Sequence, residues 1–184
     1  MGGGGALSPH TASGRDGTGA GNGDVDVDRY RQAMGRFATG VTVVTSRHRG
    51  HDVALTVASL TSVSLDPVLL LVSLHNEARV LEGVEAGEGW AVSVLPARHR
   101  GLAAWLGEPG RPLHNQLARI SHRRGDVLDV AIVDDALAAF ECRTFAVHPA
   151  GDHSIVVGEV VAVHAPTTDE PALVHYRGGL GELR

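Results

Sequence analysis

Residues 56–67 read Thr-Val-Ala-Ser-Leu-Thr-Ser-Val-Ser-Leu-Asp-Pro, placing the hydroxyls of Thr56, Ser59, Thr61, Ser62 and Ser64 among small aliphatics between two apolar runs. Small side chains let a planar ring lie close to the backbone. Hydroxyls and main-chain N–H groups can then satisfy polar ring edges and a phosphate-bearing tail. The competing reading is an edge strand whose hydroxyls face water, and this segment alone does not choose between them.

A second candidate is Gly151-Asp152-His153-Ser154, which holds the residue types of a hydrolytic relay. Adjacent strand residues point to opposite faces, so the three side chains are not expected to relay among themselves. No Gly-x-Ser-x-Gly elbow accompanies them. By spacing the segment reads as a turn between two strands, punctuated by Pro149 to Asp152. The 11 histidines are scattered, with no His-Glu-x-x-His, so no metal site is read from them. His48 and His51 fall in a polar turn. Cys142, the single cysteine, excludes an intramolecular disulfide and suits a reducing cytoplasm. It lies in a run where Phe140, Cys142, Thr144 and Ala146 face opposite to Glu141, Arg143, Phe145 and Val147, which makes it a small buried filler rather than a nucleophile.

The elements that must position these residues follow from periodicity. Tyr30, Met34 and Phe37 at helical spacing predict an amphipathic helix that stops by Gly40. Strands are expected at 41–46, 53–57, 68–74 and 90–96, with a turn at 47–52. Helices are expected at 76–87, with Ala78, Leu81 and Val84 on one face, and at 97–107. Residues 107–126 form an excursion whose only regular piece is 113–120. Strands return at 127–133, 137–148, 154–165 and 171–179. Residues 1–24, rich in Gly, Ser and Thr, are expected to be a disordered tail preceding one domain at 25–184. Their Gly-Thr-Gly-Ala-Gly-Asn-Gly run lacks the strand and Lys-Ser/Thr of a phosphate loop. Strands without regular βαβ alternation predict a mainly β fold, an antiparallel barrel with a few short helices.

A net charge of -5 and 4% aromatic residues argue against nucleic acid and anionic membranes as partners. No apolar run approaches the roughly 18 residues needed to cross a bilayer.

Taken in order, Met34-Gly-Arg-Phe-Ala-Thr-Gly-Val-Thr-Val-Val-Thr-Ser46, the 54–74 stretch, His75 to Val84, Trp90 to Pro96, Phe140 to Val160 and Leu173 to Gly179 resemble the flavin reductase family. The resemblance implies a Greek-key split β-barrel, the FMN-binding split barrel, working as an NAD(P)H:flavin oxidoreductase. Its products would serve a two-component monooxygenase. FAD or FMN is reduced by NADH or NADPH, NADH being favoured, in a cytoplasmic homodimer that passes diffusible reduced flavin to its partner. A non-catalytic flavin-binding split barrel, or a related oxidase or deazaflavin-dependent reductase, stays open as an alternative.

The resemblance also assigns residues. Thr56, Val57, Ala58 and Ser59, with Ser62, Val63 and Ser64, line the flavin ring and ribityl chain. Asn76 to Val80 lie at the flavin phosphate, but Ala78 and Val80 stand where relatives usually carry hydroxyls. That leaves Arg79 and main-chain N–H groups; apart from the resemblance, Arg111 or His99 is a candidate to compensate by its charge and its place in the loop region alone. His153 orients the nicotinamide without acting as acid or base, and Tyr176, Arg177 and Gly178 close the pocket.

Overall fold

The computed structural model describes residues 25–87, 89–108, 110–111, 116–118 and 120–183. The expected tail at 1–24 and half of the 113–120 segment lie outside the described residues. Helix α1 (Val27–Met34) begins where the Asp26 carboxylate accepts the Asp28 and Arg29 N–H groups at 2.9 and 3.2 Å. None of its residues is buried. After the short β1 (Thr39–Gly40) come β2 (Thr42–His48) and β3 (His51–Val57). They are joined by Arg49 and Gly50 at φ 51° and 78°, the paired left-handed conformation that suits a two-residue hairpin.

Next are β4 (Thr61–Leu65), β5 (Val68–His75), α2 (Arg79–Glu85), β6 (Trp90–Val94), a 3-10 turn (Ala97–His99) and α3 (Arg100–Gly107). The chain finishes with β7 (His122–Arg124), β8 (Ala131–Val133), β9 (Ala138–Ala150), β10 (His153–His164), β11 (Ala172–Tyr176) and β12 (Gly179–Leu183). Seven strands form one antiparallel sheet in the order β3-β2-β6-β9-β10-β5-β4. β1-β11-β12 make a second sheet and β7-β8 a small third. This is the expected mainly β split barrel.

The split occurs where β1 runs into β2. Val41 N donates to Leu173 O, Leu95 N to Val41 O and Leu173 N to Leu95 O, at 3.1, 3.0 and 2.9 Å, so one residue from each sheet strand ties the two sheets together. β2 is buried on both faces because it stands between two cores: Val44 packs with Val72, Leu74, Trp90 and Val156, and Val43 packs with Leu95, Leu106 and Leu173. Its unbroken β-branched sequence is the signature of that position. Gly158 lies under Trp90, where an added Cβ would stand 2.4 Å from the indole; only glycine lets β10 pass.

At the other end of the sheet, β3 stops at Val57 and β4 restarts at Thr61. Ser59 closes the gap: its hydroxyl donates to Ser73 O at 3.1 Å and accepts from Ser73 N at 2.8 Å. One side chain thus supplies the pairing that a strand would otherwise give to β5.

The 107–126 excursion, expected to be regular only at 113–120, also holds β7 (His122–Arg124), and two further expectations need correction together. The strand expected at 127–133 is confined to Ala131–Val133. Glu141, set by alternation opposite the buried Cys142, is fully buried as well. The causes are one and the same. Residues 126–128 bend over the sheet so that their N–H groups donate to the Glu141 carboxylate at 2.6–3.0 Å, and His164 Nε2 lies 2.9 Å from it. A buried carboxylate requires such partners. They hold it below the usual carboxylate range, although burial, the largest influence, pushes it up.

Candidate functional site

The site gathers at the corner where β5 leads into α2. There the β9–β10 hairpin turns through Gly151, at φ 69°, and Asp152. Asn76 stitches this turn to the corner. Its N–H donates to Asp152 O at 3.0 Å, its Nδ2 to Gly151 O at 3.2 Å, and its Oδ1 accepts from Ser154 Oγ at 2.9 Å. Because Asp152 lies in the turn rather than on a strand, the alternation rule does not apply to it. His153 Nδ1 sits 2.7 Å from Asp152 Oδ1, while Ser154 points away to Asn76. The hydrogen bond from His153, reinforced by its charge, holds the Asp152 carboxyl below its ordinary range. His153 is therefore oriented by a carboxylate, with no serine nucleophile in line.

His75 is directly opposite His153 in the β5–β10 register, and the two rings meet edge to face, 5.2 Å between centroids. Its Nδ1 accepts the Glu77 N–H at 3.2 Å, so in the neutral ring the proton resides on Nε2. His75 also lines a cavity of 560 Å³, together with Ala78, Arg79, Gly107, Arg111 and Gln116. That volume lies within the range of small-molecule sites. Arg111 is anchored there by two carbonyls, Leu106 O at the end of α3 and Ala54 O on β3.

The structure thus brings Asn76, Ala78, Arg79, Arg111 and His153 around one corner, and adds His75. The residue 56–64 segment arrives from the barrel seam. Thr56 donates to Ala103 O on α3 at 2.8 Å, Val57 is buried, Ala58 is exposed, and Ser59 is spent on Ser73. On the edge strand β4, Ser62 and Val63 are exposed, and a bulge falls between Ser62 and Ser64. Ser64 Oγ accepts the Asp66 N–H at 3.2 Å. Thr56 and Ser59 therefore serve the fold, and β4 is an edge strand with Thr61 and Ser62 exposed.

His99 stands elsewhere, in the 3-10 turn docked by the Ala97 N–H on Pro171 O at 2.8 Å. Burial, and next Arg98, lowers its pKa. Tyr176, Arg177 and Gly178 belong to the three-stranded sheet. Arg177 and Gly178, at φ 50° and 74°, turn β11 into β12, and the Arg177 guanidinium lies 5.2 Å over the Tyr176 ring. The Arg177 N–H donates to Gly35 O at 2.6 Å, so this turn is built against the end of α1 rather than against His153. Cys142 is fully buried, its thiol pushed up to about 12 by burial and by Glu141. No cluster of three metal-ligating side chains forms among the described residues. Sequence reasoning missed His75; the available signal was a histidine directly preceding Asn76 at a strand end.

Residues 34–184 match the family model described as flavin reductase like domain. The chain is 37% identical over 190 residues to the NADH-dependent FMN reductase AsuE2 of Streptomyces nodosus subsp. asukaensis, covering 97% of this chain and 98% of that protein. Among solved structures, BorF, the flavin reductase component of a bacterial two-component tryptophan halogenase, superposes with a TM-score of 0.80 at 35% identity, over 86% of this chain and 98% of that one. The Streptomyces globisporus NADH:FAD oxidoreductase SgcE6, in complex with NAD and FAD fragments, superposes with a TM-score of 0.79 at 28% identity, over 86% and 93%.

Proposed function

The chain belongs to the flavin reductase-like family, and from that premise we propose that it is an NADH-dependent flavin reductase that releases reduced FMN or FAD to a separate monooxygenase. The observation that carries the reading is the junction at His75, where a cavity bearing two arginines meets the turn that presents His153.

The residues present fit a flavin nucleotide. The cavity offers cations and N–H donors at one side, and the exposed small residues of β4 offer a surface a planar ring can approach. The flavin, once bound, supplies the redox chemistry, accepting at N5 the hydride from nicotinamide C4. The protein's part is to bind and orient. His153, steered by Asp152, orients the nicotinamide; Ser62 and its neighbours line the ring; Tyr176, Arg177 and Gly178 close over the dinucleotide. No acid or base is required of any side chain, because both reacting atoms belong to the small molecules.

A second copy of the chain covers α1 in this reading. Tyr30 and Met34 on α1, a helix with no buried residue, and Phe37 just beyond its end are 57%, 48% and 66% exposed. Such a homodimer would set the Tyr176–Gly178 turn of one protomer near the His153 corner of its partner. No described helix is long and apolar enough to cross a membrane, and we assign the enzyme to the cytoplasm, where NADH is at hand. The test is oxidation of NADH and NADPH with riboflavin, FMN and FAD as acceptors. NADH turnover with FMN or FAD is expected. Flavin binding without turnover of either nicotinamide would instead make the protein a carrier.

A further inference from the structure

His75 and His153 stand directly opposite each other in the β5–β10 register, and their rings meet at 78° with 5.2 Å between centroids. Each ring is tethered through its Nδ1. His75 Nδ1 accepts the Glu77 N–H at 3.2 Å, and His153 Nδ1 lies 2.7 Å from Asp152 Oδ1. A carboxylate only accepts, so in the neutral His153 ring the proton resides on Nδ1 and Nε2 keeps its lone pair. Neither Nε2 has a hydrogen-bond partner among the described residues.

The Asp152 carboxylate by itself is a weak hold. Its side chain is 80% exposed beside a His153 side chain that is 42% exposed, and a pair so open to water contributes little. A ring swinging about that single bond would carry the Nε2 lone pair off any fixed target. His75 limits the swing on the β5 side, where the edge-to-face contact adds quadrupole attraction to simple contact. The strand end that carries His75 is itself fixed to the turn: Asn76, its neighbour, hydrogen-bonds to Gly151, Asp152 and Ser154. Backbone stitching and ring contact thus act on one imidazole from the same place.

We propose that His75 is a positioning residue: packed edge to face on His153, it fixes the plane of that ring so that the Nε2 lone pair of His153 meets the carboxamide N–H of the nicotinamide. Resting on the reductase reading above, His75 acts on NADH only through His153 and touches neither reacting atom.

Steady-state kinetics of the full chain, with NADH and flavin varied in turn, test this. Removing an aromatic pair of this geometry is worth about fivefold. His75→Ala is expected to raise KM for NADH by that factor, less than the loss of His153 itself, with KM for flavin within twofold. His75→Phe, which keeps a ring but no acceptor, should stay near the wild type. His75→Asn, which keeps an acceptor but no ring, should match His75→Ala. In a His153→Ala background, His75→Ala should add nothing, because the ring it braces is gone. An unchanged KM for NADH in His75→Ala, a further rise in the His153→Ala background, rescue by Asn rather than Phe, or an equal rise for both substrates would overturn the brace and leave the reductase reading intact. NMR of the wild-type chain needs no variant. Nuclear Overhauser contacts between the two imidazoles and a neutral His153 protonated at Nδ1 are expected, and their absence would overturn the brace even if His75→Ala failed to fold. A wild type that oxidises neither NADH nor NADPH with any flavin would remove the reductase reading and the role of His75 together.

Discussion

Hydroxyl groups in residues 56–64 divide by what they already hold. Thr56 and Ser59 are engaged with Ala103 and Ser73, whereas Ser62 is exposed on β4. Substitution at Ser62 therefore reports on ligand approach without disturbing the fold. We expect Ser62→Leu to weaken flavin binding about tenfold, a loss of about 1.4 kcal/mol, with the thermal midpoint unchanged. Flavin titration beside a melting curve checks both halves. His153 offers the complementary test. His153→Ala should raise KM for NADH about tenfold and leave KM for flavin within twofold, because truncation removes an orienting contact to only one of the two reactants. Steady-state kinetics with each substrate varied in turn would show an equal change in both if the assignment were wrong.

Elements impose constraints that no residue shows alone. The stretch 126–128, expected to begin a strand, becomes a wrap around Glu141; alternation along β9 set that glutamate opposite Cys142, and the wrap is what buries it there. Period-two reading assumes that one face of a strand meets water. It fails where a distant loop of the same chain covers that face. The same rule failed at Asp152, where the chain was turning. By contrast β2, β5 and β10 were legible from their apolar runs, β-branched in β2 and β10 and leucine-rich in β5. The wrap has a pH signature. The folded-state pKa of Glu141 lies below its unfolded value, so its contribution to stability is present at neutral pH and is lost as pH falls through the folded value. Glu141→Gln, which leaves one or more of the loop N–H groups unmatched, should cost about 2–3 kcal/mol at neutral pH. It should also flatten the acid limb of the stability curve, as read by urea unfolding at a series of pH values. A parallel acid limb in the variant would locate the titrating group elsewhere.

At the scale of the molecule, the homodimer proposed above would bury the exposed face of α1 together with Phe37 just beyond its end. A charge placed at Phe37 cannot be buried against a second copy without a large penalty. Phe37→Glu is expected to convert a dimer to a monomer in sedimentation, with the monomer retaining its β circular dichroism and losing NADH turnover. A wild-type chain that sediments as a monomer would remove the shared-site arrangement. The order of motifs along the chain made the barrel and its ligand class readable before any coordinates. The closeness of His75 to His153 and the engagement of Ser59 were not, because each depends on strand register rather than on neighbours in sequence.

The Ser59–Ser73 contact has a dynamic meaning as well. A barrel shut at its seam by one hydroxyl is shut weakly there, since two such bonds contribute together only about 1–3 kcal/mol. The β9–β10 ladder on the far side pairs every residue from His153 to Val157 in unbroken register before its first bulge. Local opening should therefore start at Ser59, beside the residues proposed to line the ring, and run far ahead of global unfolding. Native-state hydrogen exchange would register this as a Ser73 amide that exchanges well before those of Ser154 to Val157. For an enzyme that must surrender its reduced product to another protein, such breathing at the seam gives the molecule a low-energy way to let go.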